Sequence, residues 1–305
     1  MNSTLSFLLK ALIAALLVWL IAHRLFVQND FRAQWQLFTQ NLSAAPVIWI
    51  VVAILLQPVN WCLETIKWQN LLQGHIAFAP ALRSVLSGVT LGFVSPGRLG
   101  EFSGRIWHLS PEMRRSAFYL SNLGGIAQTA ITLAAGAVCF SLWINNPFVS
   151  GIVIGLSVVF LLLFFRFDVV NNFLSKLSGL RRAGFYISNE ELPDLRTQST
   201  VIALSLVRYL VYLLQYVCAF QFFGVETTVF TIMIHSGVLL LLNSFSPLLP
   251  ALDFSFRGTA ALYVFREITD NSLALLSATT FIWLLNLVLP ALVGYLFIVR
   301  KEKQS

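Results

Sequence analysis

The sequence predicts an all-α polytopic membrane protein, with about six spanning helices and two re-entrant broken-helix pairs in an inverted repeat. Three observations carry this prediction. Hydrophobic residues make up 57% of the chain and charged residues only 11%, against about 25% charged in an average soluble domain. The apolar residues are gathered into long runs, and a helix needs about 20 of them to cross a ~30 Å hydrocarbon core. Lys and Arg fall in alternate connections between the runs, as they do when one side of the membrane is cytoplasmic.

In chain order the runs are 5–22, 46–63, 117–143, 150–165, 200–223 and 272–299. In lipid every backbone N–H and C=O must be paired within the segment, so such runs form helices. The alternating pattern of a membrane barrel is absent. Residues 1–24 read as an uncleaved first helix, because Lys10 is the only early positive charge and no small-residue cleavage site follows. Residues 150–165 form the shortest run. Between the runs lie two amphipathic stretches, one with Phe31, Trp35, Phe38 and Leu42, the other with Val170, Phe173, Leu174 and Leu177. Each spacing puts the apolar residues on one helical face, suited to lying in the membrane interface. Cys62, Cys139 and Cys218 all fall inside apolar runs and read as reduced packing residues.

Placing both termini on the cytoplasmic side of a plasma membrane puts 13 of the 20 Lys and Arg inside, Lys67 among them. Only Arg24, Arg32 and Arg266 then fall outside, and Arg98, Arg105, Arg208 and Arg257 remain at membrane depth. The net charge of +7 is thus a topological signal rather than a nucleic-acid surface.

Two apolar regions, 81–109 and 229–264, are interrupted by Ser95-Pro96-Gly97 and by Ser246-Pro247 with Pro250. The charge pattern requires each to begin and end on the same side, which makes each a pair of short helices joined at a turn. Two ordinary crossing helices with prolines in a loop are the alternative. In the first region Ser84, Gly88, Gly92, Pro96, Gly100 and Gly104 recur every four residues, a spacing that lets helices approach closely in lipid.

The two regions also match each other. Both read Ser-Pro, then an acid, Phe, Ser, any residue and Arg, and the acids Glu101 and Asp253 lie 152 residues apart, half the chain. The chain therefore reads as a single transmembrane domain, 1–305, built from half-repeats of about 1–148 and 149–305. Three crossings separate equivalent points, so the halves are inverted, an arrangement found in many secondary transporters.

Glu101 and Arg105 are spaced i, i+4, as are Asp253 and Arg257, so each pair shares a helix face. Charges near the bilayer centre cost at least a few kcal/mol and usually serve function. The pairs either form a binding site or neutralise one another and hold a bend. Arg98 adds a basic group at the first turn. Arg208, about eight residues into its span, either snorkels to the surface or joins the others. The substrate-binding candidates are therefore Arg98, Glu101, Arg105, Arg208, Asp253 and Arg257. The turn residues are Ser95, Pro96, Gly97, Gly100, Ser246 and Pro247. Arginine forks suit phosphate oxygens. Asn122, Gln128, Gln215 and Asn286 read as contacts between helices. His23, His75, His108 and His235 form no metal-spaced group, and no nucleotide-binding P-loop is present. No catalytic residue, metal or cofactor is implied.

The stretch Gly92-Phe93-Val94-Ser95-Pro96-Gly97-Arg98-Leu99-Gly100-Glu101-Phe102-Ser103-Gly104-Arg105 resembles the signature of the flippase-like domain of the lysylphosphatidylglycerol synthase/flippase family. Similarity extends loosely through Trp68-Gln69-Asn70-Leu71-Leu72 and to the closing helix at Pro290. The resemblance implies movement of lipids across a plasma membrane: anionic or aminoacylated phospholipids, or polyprenyl-linked lipids. The second family motif is usually richer in glycine; here only Gly258 follows it and Asp253 takes the acidic place. The chain ends at Ser305 without a soluble aminoacyl-transfer domain, so synthase activity is not expected. The leading expectation is translocation of a phosphate-bearing lipid, such as a phospholipid or a polyprenyl phosphate. The alternatives are a small-solute transporter or a membrane assembly partner and, with least support, a membrane glycosyl- or acyltransferase. A membrane partner protein or a homo-oligomer is compatible with any of these.

Overall fold

The computed structural model describes residues 12, 15, 16, 18, 19, 21–23, 31–176, 192–246 and 248–302, and among them every regular element is a helix. Among the described residues five helices are long and apolar enough to cross a membrane: Ile48–Leu71, Pro111–Ile144, Pro147–Phe165, Leu195–Phe222 and Ser272–Val299. The chain is a multi-pass membrane protein. Most of the expected first span, 5–22, lies outside the described residues. The short run at 150–165 is a full 19-residue helix.

We number the helices α1 (Phe31–Ala44), α2 (Ile48–Leu71), α3 (Phe78–Val94), α4 (Gly100–Ile106), α5 (Arg114–Ile144), α6 (Pro147–Phe165), α7 (Phe167–Lys176), α8 (Leu195–Phe222), α9 (Val229–Asn243), α10 (Phe254–Val264), α11 (Ser272–Trp283) and α12 (Leu289–Glu302). A π-helical segment, Leu284–Val288, joins the last two. From α1 to α5 the order is amphipathic helix, span, helical hairpin, span. The same order recurs from α7 to α12, with α6 ahead of it. Side-chain caps start several of these helices: Asn146 accepts from Val149 N, Asp194 from Thr197 N, Thr228 from Thr231 N and Asn271 from Ala274 N.

The exterior and interior are reversed relative to a soluble protein. On α2, Gln57, Asn60, Glu64 and Lys67 are buried while Leu55, Val59 and Ile66 are exposed. On α6 only Ser157 and Phe164 are buried, and Ile152, Leu156, Val159 and Leu162 face outward. Hydrocarbon is the natural surroundings of such a surface. Two apolar clusters support the inside. One gathers Trp68, Leu71, Leu120, Leu123 and Val201. The other gathers Tyr216, Phe220, Phe265, Leu275 and Ile282. Helix α1 docks on the second cluster, with Phe38 stacked on Phe223 at 6.2 Å and Asn41 Nδ2 donating to Gly224 O.

The broken regions are two hairpins, α3/α4 and α9/α10. The 17-residue α3 spans about 25 Å and the other three helices less, so none reaches the ~30 Å of a bilayer core. In the first hairpin the backbones nearly touch. A Cβ on Gly104 would stand 2.3 Å from Ser87 O, so only glycine fits there. At its tip Gly97 takes φ 58, the left-handed region open to glycine, and Ser95 Oγ accepts from Gly100 N at 2.7 Å. In the second hairpin Leu248 N donates to Ser246 Oγ; Pro247 lies outside the described residues. The two tips meet, the Pro96–Arg98 turn lying against the Pro250–Leu252 turn.

One expectation fails. The second span was expected to end at residue 63, with Lys67 in a cytoplasmic loop. Helix α2 instead continues to Leu71, and Lys67 is 1% exposed. The reason is local: Glu64 lies one turn before Lys67, with Nζ 2.8 Å from Oε2, so the two charges enter the interior as a pair.

Candidate functional site

Among the described residues, eight charged side chains line one cavity of about 600 Å³. Helix α2 brings Glu64 and Lys67, the first hairpin Arg98, Glu101 and Arg105, helix α8 Arg208, and the second hairpin Asp253 and Arg257. All six substrate-binding candidates from the sequence are therefore on its walls, together with Gly97 and Ser246 from the two turns. The polar residues expected only to join helices, Asn122, Gln128 and Asn286, line it as well. Gln215 does not; its amide donates to Ala53 O and Gln57 Oε1.

Glu64 is the hub of the network. Its Oε1 accepts from Arg105 Nη2 at 2.5 Å. Its Oε2 accepts from Lys67 and from Arg208 Nη1. Arg208 is thus turned inward rather than to the surface. Its Nε donates to Asn60 Oδ1 at 2.8 Å and its Nη1 to Gln128 Oε1 at 3.2 Å. Asn60 in turn donates to Asn286 Oδ1 at 3.3 Å, beside the π-helical segment. Lys67 Nζ also reaches Gly124 O at 3.3 Å.

The first hairpin supplies the next layer. Arg105 Nη2 bridges Glu64 to Glu101, the latter at 2.7 Å, and Arg98 reaches Glu101 Oε2 at 3.0 Å. Arg98 is half exposed and stands at the rim. Arg105 is braced from behind: its guanidinium lies 5.4 Å from the Trp68 ring, Trp68 Nε1 donates to Ser84 Oγ, and Ser84 Oγ donates to Arg105 O. Asp253 and Arg257 pair at 2.6 Å across the cavity from a different hairpin. The i, i+4 pairing read from sequence is therefore real in both hairpins, but the first pair is part of a wider network.

Several polar groups on the walls have no hydrogen-bond partner among the described residues. These are Arg105 Nε and Nη1, Trp61 Nε1, Ser121 Oγ, Asp253 Oδ1 and both amide atoms of Asn243. A buried polar group without a partner costs roughly 1–3 kcal/mol, so these groups suit a polar ligand.

Sequence reasoning missed Glu64 and Lys67, yet a signal was there. Gln57, Asn60, Glu64 and Lys67 are spaced 3, 4 and 3 residues apart, a polar stripe along one face of an apolar helix. Ser205, Arg208, Tyr212 and Gln215 repeat that spacing on α8, the helix that packs along α2.

The fold and the charged cavity at the meeting point of two helical hairpins are those of a multi-pass α-helical membrane protein. The model of the family described as the lysylphosphatidylglycerol synthase TM region matches residues 7–259. This chain belongs to that family. Comparison with curated proteins gives no matching relative.

Proposed function

We propose that this protein translocates a phosphate-bearing lipid across the plasma membrane, with both termini cytoplasmic, and without enzymatic chemistry of its own. The observation that carries the reading is the cavity: arginines from two hairpins and a spanning helix converge inside an apolar exterior. Arginine forks fit phosphate oxygens, and a volume near 600 Å³ accommodates a headgroup, within the usual range for ligand sites. The hairpins act as re-entrant elements of an inverted repeat, each gating one side of the shared site. Family membership supports a lipid as the cargo.

The test is transfer of a fluorescent anionic phospholipid between leaflets of vesicles containing the purified protein. Asp253→Asn, Arg257→Gln and the double variant should all lose transfer. If the pair only holds the hairpin, the singles should be poorly made, because each leaves a buried charge alone, and the double should recover both yield and transfer. Recovered transfer in the double variant overturns a substrate role for this pair.

A further inference from the structure

The charge balance of the cavity goes further than its affinity for phosphate. Among the described residues, five cationic side chains, Lys67, Arg98, Arg105, Arg208 and Arg257, face three carboxylates, Glu64, Glu101 and Asp253. In their ordinary ionised forms they leave an excess of two positive charges in one membrane-embedded space. Every carboxylate is already engaged: Glu64 by three cations, Glu101 by two and Asp253 by one. Arg98 at the rim is half in solvent, but the other cations are largely buried; an uncompensated charge away from water is costly, so the excess calls for an anion from outside the protein.

The unpartnered groups say where that anion fits. Arg105 Nε and Nη1 are buried, face no acceptor among the described residues, and belong to a side chain only 6% exposed. Trp61 Nε1, Ser121 Oγ and Asn243 Nδ2 are further unpartnered donors on the same walls. Against these five donors stand two unpartnered acceptors, Asp253 Oδ1 and Asn243 Oδ1; the set is rich in donors and suits a group with three terminal oxygens better than one with two.

We infer that the ligand is a doubly charged phosphomonoester, carried on a lipid, rather than the singly charged phosphodiester of an ordinary phospholipid. A monoester carries close to two negative charges well above its second pKa of about 6, which cancels the excess. A diester leaves one positive charge behind. This inference rests on the proposed lipid reading and narrows it. It makes the net charge, not a single residue, the selectivity element, and it gives Arg98 a defined part: the rim cation whose loss reduces the excess to one.

The experiment is native mass spectrometry of the purified protein at pH 7. Four probes with matched chains where they have chains are compared: phosphatidate, phosphatidylglycerol, monogalactosyl diacylglycerol and water-soluble glycerol phosphate. Phosphatidate should be retained about tenfold better than phosphatidylglycerol, the size expected of one extra charge in a partly hydrated site. Arg98→Gln, at a half-exposed position where it gives up only the rim pair with Glu101, should shrink that ratio while leaving the protein folded. Equal retention of phosphatidate and phosphatidylglycerol, both above the galactolipid, overturns this inference and leaves the lipid reading standing. Retention of neither above the galactolipid overturns both. Glycerol phosphate bound as tightly as phosphatidate supports the monoester and overturns the lipid as its carrier. An unchanged ratio in Arg98→Gln overturns the charge-balance argument itself.

Discussion

Replacing Glu64 with glutamine is the sharpest test of the network. The change keeps the shape of the side chain and removes one charge. Arg105, Arg208 and Lys67 would then share no common counter-ion, and the excess in the cavity would rise from two to three. Glu64 and Arg105 are each 5% exposed and Lys67 1%, so water offers little compensation. Removing one partner of a buried ion pair costs about 3–5 kcal/mol, which should lower a detergent melting temperature by roughly 5–8 °C. Glu101→Gln should cost less, because Glu101 is 19% exposed and one of its partners, Arg98, is half in solvent. The companion variant Glu64→Gln/Lys67→Met returns the excess to two and should recover at least half of the lost melting temperature. The assay is fluorescence-detected melting in detergent. A Glu64→Gln protein melting within about 2 °C of the parent, or a double variant melting below the single, would refute the counter-ion role.

The proposed topology predicts that, with the native cysteines replaced, Asn146→Cys reacts with an impermeant thiol reagent outside intact cells and Lys176→Cys does not; the reverse pattern inverts the orientation. Gly104→Val should abolish folded protein, since even its Cβ meets Ser87 O at 2.3 Å, and a normal size-exclusion profile would show that the hairpin can open without loss. Asp194 caps α8, and its carboxyl is held below the ordinary carboxylate value, first by the Thr197 hydroxyl and then by the Thr197 N–H. Its folded value is depressed, so the cap stabilises above the unfolded value of about 4 and is lost as pH falls through the lower folded value. Asp194→Ala should therefore melt lower than the parent at pH 7, with the gap closing below pH of about 4; a gap that widens in acid contradicts the cap.

What the sequence made legible was set by local spacing. The runs, the breaks at Ser95-Pro96-Gly97 and at Ser246, and the acid–Arg pairs four residues apart all depend on neighbours along one helix. The convergence of these pairs on one cavity depends on the tips of the two hairpins meeting, which no local pattern reveals. Lys67 shows the cost of reading charge alone. A lysine after an apolar run is normally cytoplasmic, but Glu64 at i−3 lets it be buried, and the rule for loops then places it wrongly. Arg208 was undecided for the same reason: its partners Asn60 and Glu64 lie 148 and 144 residues away.

The position of the final span explains how the two hairpins are held in one frame. Trp283 lies between them, its ring 6.2 Å from Phe93 of the first hairpin and 5.6 Å from Phe254 of the second, with Nε1 donating to Pro250 O at 2.9 Å. Further along the same span Thr90 of α3 donates to Ala291 O at 2.8 Å, and a Cβ on Gly294 would strike Leu86 O. The span therefore touches both hairpins at Trp283 and α3 of the first hairpin again after residue 290. Between these contacts the helix is π-wound, Leu284–Val288, and Pro290 has no N–H to return to the preceding turn. This is the mechanically weakest part of the span, and Asn286, bonded to Asn60, ties it to the Glu64 network. The break in the span thus lies directly beside the charges that line the cavity.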